Sequence, residues 1–446
     1  MNLSSQFIRY ASLFSGLGGF EIALNRLSAT CVFASEIDKF ASKAYELYFG
    51  VKPHGDIREV REDDVPDHEL LVGGFPCQSF SIAGSRLGFE DARGTLFFEI
   101  ARIAQRKKPK LLLLENVKGL LSHNKGDTLL TMLRILSHIG YTLDFAVINS
   151  KHWRPQHRER VFIVGVYGLK PQRYTVGEEN TIVDRLKAKI NKKKDIRTFN
   201  FPWPQKKEVP FRLMDILEPE VDEKYYLADE LARDLLQAIT NQYQATYQSD
   251  SENPVPTEEE KSNKGYQAVF KFDDEDEPKL HVVGLANIRG IEVVRRVYDP
   301  TGLAPTLTTM DGGHREPKIV VPKNKDLIFV GGIGNKPDWL DDGKKLSRNY
   351  KQGSRVYSAL GIAATLSAQG VGGYGGHTGL YLTPDLAVRK LTPLECFRLQ
   401  GLPDDYYHLL RANGFSDRQL YKLAGNAVTV DVVYELSQTL FPYLDS

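Results

Sequence analysis

Cysteine is scarce in this chain: 446 residues carry three, Cys31, Cys77 and Cys396, far apart and without a CxxC pair. That excludes a disulfide scaffold and a four-ligand zinc site, and no other metal set stands out. Long apolar runs are missing too. None approaches the roughly 20 residues a helix needs to cross a bilayer, and "MNLSSQFIRY" lacks the basic, apolar and small-residue segments of a secretory signal. A cytoplasmic protein with no membrane partner is expected. An excess of one charge is absent as well, since 58 Lys and Arg face 57 Asp and Glu. A nucleic-acid partner would therefore have to be drawn by a local basic surface.

What is present is strand-helix alternation. "IRYASLF", "CVFAS", "LLVGG" and "KLLLLEN" are short apolar runs, each followed by a helical pattern, and "LDFAVINS" and "RVFIVGV" complete the series near residue 167. Fully apolar strands alternating with helices predict an α/β domain with a parallel sheet covered on both faces. The length calls for a second domain. From residue 168 the composition turns loop-rich, with the basic run "KAKINKKKD" and the polar "QSDSENPVPTEEEKSNKG". A two-copy repeat follows, about 282–321 and 330–382: "RRVYDPTGLAPTLTT" and "SRVYSALGIAATLSA" share Arg, Val, Tyr, Gly, Ala, Thr and Leu at a constant offset of 59. Two copies are too few for a solenoid and read as a duplicated β-rich unit. The expected division is 1–167, 168–388, and 389–446 with helices that return to the first domain.

Several residues stand where chemistry is done. "LFSGLGGFEIAL" turns from the first strand into the first helix, and its Gly16, Gly18 and Gly19 permit close approach of a nucleotide-like ligand, although not with the GxGxxG spacing of a dinucleotide site. Glu36, in "SEID" after the second strand, is placed to accept from ribose hydroxyls; Ile37 can cover a purine face, and Asp56 in "HGDI" can accept from an adenine amino group. Cys77 lies in "GGFPCQSFS", where Pro76 fixes the backbone just before a thiol that sits in neither a strand nor a helix. Glu115 ends the very apolar "LLLLENV", where desolvation favours a protonated carboxyl suited to general acid work. Arg158 and Arg160, two residues apart in "RPQHRER", can share one face of a strand and hold a phosphate or carbonyl oxygen.

In this order "FSGLGG", "PCQ", "ENV", "QHRER" and the C-terminal "GNAV" resemble the C5-cytosine DNA methyltransferases of prokaryotic restriction-modification type, over roughly 8–167 and 389–440. The resemblance implies a Rossmann-like S-adenosylmethionine-dependent methyltransferase sheet with a smaller, β- and loop-rich target recognition domain. Cys77 would be the nucleophile toward cytosine C6, Glu115 the donor to N3, Arg160 the holder of O2, and Arg158 a support for the loop or a phosphate. Phe14, Gly16, Leu17, Gly19, Glu36, Ile37, Asp56, Ile57, Pro76, Leu96, Asn426 and Ala427 would form the cofactor site. The partner would be double-stranded DNA with its target base flipped out. Gln78, Ser79, Ser81 and Arg86 would close on it, and Thr306, Leu307, Thr365 and Leu366 would read it in the major groove. A monomer acting alongside a cognate restriction endonuclease is the expected setting. A tRNA methyltransferase of the same fold and a catalytically silent DNA-binding regulator are the alternatives; the large recognition region speaks against the first, and the intact Cys77, Glu115, Arg158 and Arg160 set against the second.

Overall fold

The structure is a computed structural model that describes residues 7–76, 96–205, 213–226 and 388–446, together with the backbone of six short strands between 282 and 382. By internal contacts the chain divides into two units, one of 1–154, 158–208 and 396–446, the other of 155–157 and 209–395.

The first unit is built on β1 (Arg9–Leu13), β2 (Thr30–Ser35), β3 (Leu70–Gly74), β4 (Leu111–Val117), β5 (Tyr141–Asn149) and β6 (Glu159–Tyr167), in the sheet order β2-β1-β3-β4-β6-β5. β1 to β4 are parallel neighbours, whereas β6 runs antiparallel to both β4 and β5. The sheet is therefore mixed, a correction to the all-parallel expectation. Apolar periodicity marks a strand as buried but carries no information about its direction.

α1 (Gly19–Asn25), α2 (Lys39–Phe49), α3 (Leu96–Lys107) and α4 (Asp127–Ile139) alternate with the first strands. α3 and α4 turn Phe97, Ile100, Ile103, Leu129, Leu133 and Leu136 onto a sheet face made by Leu13, Leu71, Leu112 and Leu114. Burying side chains of this size stabilises by about 1.5–3 kcal/mol each before conformational entropy is subtracted, so this face anchors the scaffold. Near the C-terminus α6 (Pro393–Gln400) is followed by α7 (Asp404–Ala412), α8 (Asp417–Asn426) and α9 (Val430–Leu440), and α9 packs on α1. Ser416 starts α8 with a capping box to Gln419, which satisfies end groups that the helix itself cannot.

The first boundary falls at 208 rather than 167, because the intervening segment covers the sheet edge. Thr198 bridges Leu143 in parallel, and buried Asp144 accepts from Phe201 N and Trp203 Nε1, each at 2.9 Å. This segment also contains α5 (Ile182–Asn191), capped by Thr181 and Asp184. An edge strand left bare would expose unpaired backbone groups.

In the second unit, β7 (Val282–Leu285), β8 (Arg296–Tyr298) and β9 (Lys318–Ile319) form one sheet. β10 (Phe329–Gly332), β11 (Arg355–Ser358), β12 (Leu380–Leu382) and β13 (Val388–Arg389) form another. The first three strands of each share order, direction and register: Arg296, Val297 and Tyr298 pair with Leu285, Gly284 and Val282, just as Arg355, Val356 and Tyr357 pair with Gly332, Gly331 and Phe329. Both ladders slip at the same step, and both continue into a parallel strand. At β13 Arg389 forms a buried bidentate pair with Glu395, whose carboxylate also accepts from Glu218 N and Thr392 N.

Candidate active site

Two clusters lie at the carboxyl ends of the parallel strands, where an open α/β sheet forms its crevice. The first follows β1. Phe14, Gly16 and Gly18 all have left-handed backbone, with φ of 59°, 57° and 73°. For phenylalanine that conformation is strained, and such strain concentrates at ligand sites. Among the described residues a Cβ built on Gly16 would meet nothing within 4 Å. Gly19 is tight by contrast: its Cβ would come within 2.8 Å of Val428, so this glycine serves the packing of α1 against the C-terminal segment.

Glu36 locks the loop. Its Oε2 accepts from Gly16 N at 2.8 Å and its Oε1 from Asp38 N at 2.7 Å, which leaves further lone pairs on each oxygen for hydroxyl donors. Burial raises its carboxyl above the ordinary value despite those backbone donors. Beside it Ile37 is 64% exposed, an isolated apolar surface at the crevice.

Asp56 caps a 3-10 turn (Ile57–Glu59) by accepting from Arg58 N, and its two oxygens also receive the Arg58 guanidinium. An adenine amino group would have to share Asp56 with that exposed arginine. Leu17 and Ile57 have buried side chains, so what they offer a ligand is backbone. Pro76 and Asn426 are exposed, Leu96 is half-buried at the start of α3, and Ala427 is buried.

The second cluster joins β4 to β6. The Arg160 Nε lies 3.1 Å from Glu115 Oε1, and Arg160 Nη1 donates to the Glu159 carbonyl at 2.9 Å. A guanidinium has five N–H groups, so among the described residues Arg160 retains donors for a further carbonyl oxygen. Burial pushes the Glu115 carboxyl up and the Arg160 and Arg158 cations pull it down; burial prevails, and its pKa is raised. Asn116 was not singled out in the sequence. Its Nδ2 donates to the Phe75 carbonyl at 2.9 Å, tethering the backbone that leads to Cys77. A polar residue at the end of a leucine run was the available signal.

Arg158 is 2% exposed and does not face solvent. Its Nη2 donates to the carbonyls of Gly425 and Ala427 at 3.2 and 2.8 Å, so it clasps the turn around Asn426. This removes the phosphate-holding option and leaves loop support, for a loop more than 260 residues away. Desolvation lowers its pKa to about 9, with the nearby Arg160 adding to the shift. Cys77, Gln78, Ser79, Ser81 and Arg86 lie outside the described residues, as do Thr306, Leu307, Thr365 and Leu366. Among the described residues no group of His, Cys, Asp and Glu could hold a metal, and no helix is long and apolar enough to cross a membrane.

A carboxyl near the end of β4 paired with a guanidinium at the start of β6 suits proton donation to a bound base. Comparison with known proteins decides the family: the model of the C-5 cytosine-specific DNA methylases matches residues 8–441. The chain belongs to that family. It is similar to the orphan methyltransferase M.SPBetaI of Bacillus phage SPbeta, with 35% identity over 475 residues covering 97% of each protein. The type II methyltransferase M.HhaI of Haemophilus parahaemolyticus is 31% identical over 97% of this chain and 94% of that protein. M1.ScrFI of Lactococcus lactis is 41% identical over 97% of this chain and 78% of that protein.

Among solved structures, the fold is shared with a DNMT2 mutant from Spodoptera frugiperda (TM-score 0.53, 16% identity, 97% of this chain and 99% of that one). The S. pombe Dnmt2 methyltransferase is similarly related (TM-score 0.52, 17% identity, 98% and 99%). The protein is thus a DNA (cytosine-5-)-methyltransferase with a mixed, six-stranded methyltransferase sheet.

Proposed function

We propose that this methylase uses S-adenosylmethionine to methylate a cytosine flipped out of a short duplex sequence, with Cys77 as the covalent nucleophile. The observation that carries this reading is the Glu115–Arg160 pair, a half-buried acid with a raised pKa beside a cation that, among the described residues, keeps unused donors. Cytosine C5 is a poor nucleophile. Addition of the Cys77 thiolate to C6, with Glu115 donating a proton to N3 and Arg160 bonding O2, makes C5 enamine-like.

When bound, the cofactor supplies an electrophilic methyl group to C5. Loss of the C5 proton to water, with the N3 proton returning to the Glu115 carboxylate, then expels the Cys77 thiolate and restores the aromatic ring. Arg158 holds the Asn426 turn during this sequence. Phe14, Gly16, Leu17 and Gly19 form the cofactor loop; Glu36 accepts from the ribose, Asp56 from the adenine amino group, and Ile37 covers the ring, with the backbone of Ile57 and Ala427 and with Pro76, Leu96 and Asn426 completing the site. The exposed Ile37 and the space that the described residues leave at Gly16 support this fit.

The target must leave the helix, because C6 of a stacked base is out of a thiol's reach. Gln78, Ser79, Ser81 and Arg86 close over it. The matching registers of the β7-β8-β9 and β10-β11-β12 sheets support two equivalent reading units, the connection after β8 carrying Thr306 and Leu307 and the connection after β11 carrying Thr365 and Leu366. The enzyme acts as a cytoplasmic monomer and protects DNA from a cognate endonuclease.

The test is expression in a host that lacks C5-methylcytosine, followed by base-resolution conversion sequencing, with Cys77→Ala as control. Dense methylation in a short motif, lost in the variant, is expected. Methylation that survives in the variant would sink the covalent mechanism, and a motif unaffected by exchange of Thr306 and its neighbours would sink the first reader.

A further inference from the structure

The 3-10 turn carrying Asp56 and Ile57 is not held by its own sequence alone. Arg102, on the second turn of α3, reaches it with all three guanidinium nitrogens engaged. Nε donates to Glu99 Oε2 on the same helix at 2.5 Å, Nη1 lies 2.9 Å from Glu62 Oε1 just beyond the turn, and Nη2 donates to the Ile57 carbonyl at 2.5 Å. Its side chain is 13% exposed, so this is a mostly desolvated, charge-assisted set. The neighbouring contacts run the same way: Arg106 pairs with Asp63 at 2.6 Å and Lys107 with Asp67 at 3.3 Å. One face of α3 thus grips the segment from 57 to 67.

We infer that Arg102 is a positioning residue for the adenine end of the cofactor site, fixing the turn so that Asp56 and Ile57 meet the base. The inference rests on the cofactor reading given above. The Ile57 carbonyl is held both by the turn's own bond from Val60 N and by Arg102, which sets the plane of the following peptide. That peptide supplies the Arg58 N–H bonded by Asp56, so the carboxylate's direction is fixed in turn. A lysine could not replace this fork: an ammonium is a point charge without the planar geometry that serves three acceptors in different directions. Because α3 also begins at Leu96, the helix that supplies one expected cofactor contact aligns two others.

The experiment measures binding of S-adenosylhomocysteine and of S-inosylhomocysteine, which lacks the adenine amino group, by calorimetry on the full chain and on Arg102→Lys and Arg102→Ala. Wild type should prefer the adenine form by about tenfold or more, as loss of a hydrogen bond to a charged acceptor implies. Both variants should reduce that preference to about threefold or less, and the KM for the cofactor should rise with kcat at saturation little changed. A purely structural arginine would lower the thermal midpoint without altering the ratio. An unchanged ratio in folded Arg102→Lys overturns the inference even if Arg102→Ala fails to fold. Failure of wild type to bind either ligand would overturn the cofactor reading itself.

Discussion

Asp144 on β5 and Glu115 on β4 are carboxylates carried by the same sheet, each beside a cation, yet their surroundings differ. Asp144 is paired with Lys187 Nζ at 2.7 Å and also accepts from Phe145 N, Phe201 N and Trp203 Nε1. Lys187 in turn lies 4.8 Å from the Tyr174 ring centroid. Glu115 has one ionic partner among the described residues, Arg160, and its other oxygen faces Gly74. A buried charge surrounded by donors is a fastening, whereas one served by a single cation keeps capacity for a substrate.

The comparison breaks or stands first on a pair of isosteric changes. Glu115→Gln should lower the single-turnover methylation rate by roughly 10²–10⁴-fold, the scale of a lost general acid. Its amide oxygen can still face Arg160, so unfolding free energy in urea should change by less than about 1 kcal/mol. Asp144→Asn should do the reverse. An amide nitrogen there must oppose N–H donors whichever way it turns, at a cost of about 3 kcal/mol, while folded protein keeps its methylation rate. An inactive but stable Asp144→Asn, or an unfolded Glu115→Gln, would erase the distinction.

Acidity sharpens it next. Glu115 must carry a proton to donate one, so the methylation rate should fall as pH rises through its raised pKa. Arg160 holds that pKa down, so in Arg160→Gln the falling limb should move to higher pH even though the whole profile sits lower. A limb that stays put would remove Glu115 as its source. Stability follows with a definite sign. The native state holds this proton where the unfolded chain has released it, so the stabilising contribution is complete below the ordinary value of 4.5 and is lost as pH rises through the folded value. Glu115→Gln should abolish that part of the pH dependence of urea unfolding.

The sequence revealed these two carboxylates unequally. Glu115 stood out because a charged residue ends a run of four leucines, and its role followed from local pattern. Asp144 did not, because its donors at Phe201 and Trp203 lie in a segment whose composition reads as the start of another domain. Arg158 and Arg160 looked alike, two residues apart, yet Arg158 turns to carbonyls near residue 426 and only the fold brings those together. The strands themselves were legible from apolar runs. The reversal of β6 was not, since direction depends on how the chain connects. The repeat was visible as identities at a fixed spacing, while the shared ladder slip needed the backbone.

The smallest effects should come from the glycine loop, where two neighbours divide the same labour of fastening and binding. Both Gly16 and Gly18 have positive φ, so alanine at either is strained by about 1 kcal/mol. At Gly18 the new Cβ would also come within 2.2 Å of the Phe49 ring, which is held against Tyr45 and Tyr48 at centroid distances of 4.4 and 5.1 Å. That ring cannot simply swing aside, so Gly18→Ala should lose roughly a further 1–2 kcal/mol of stability through overpacking. At Gly16 no described residue stands within 4 Å, so the expected structural cost is the strain alone. The methyl group would instead project into the space where the cofactor is expected. Gly16→Ala should therefore be the more stable of the two in urea and the weaker binder of S-adenosylhomocysteine. If calorimetry ranks the two affinities the other way, Gly16 is part of the fastening and the space beside it is not the binding surface.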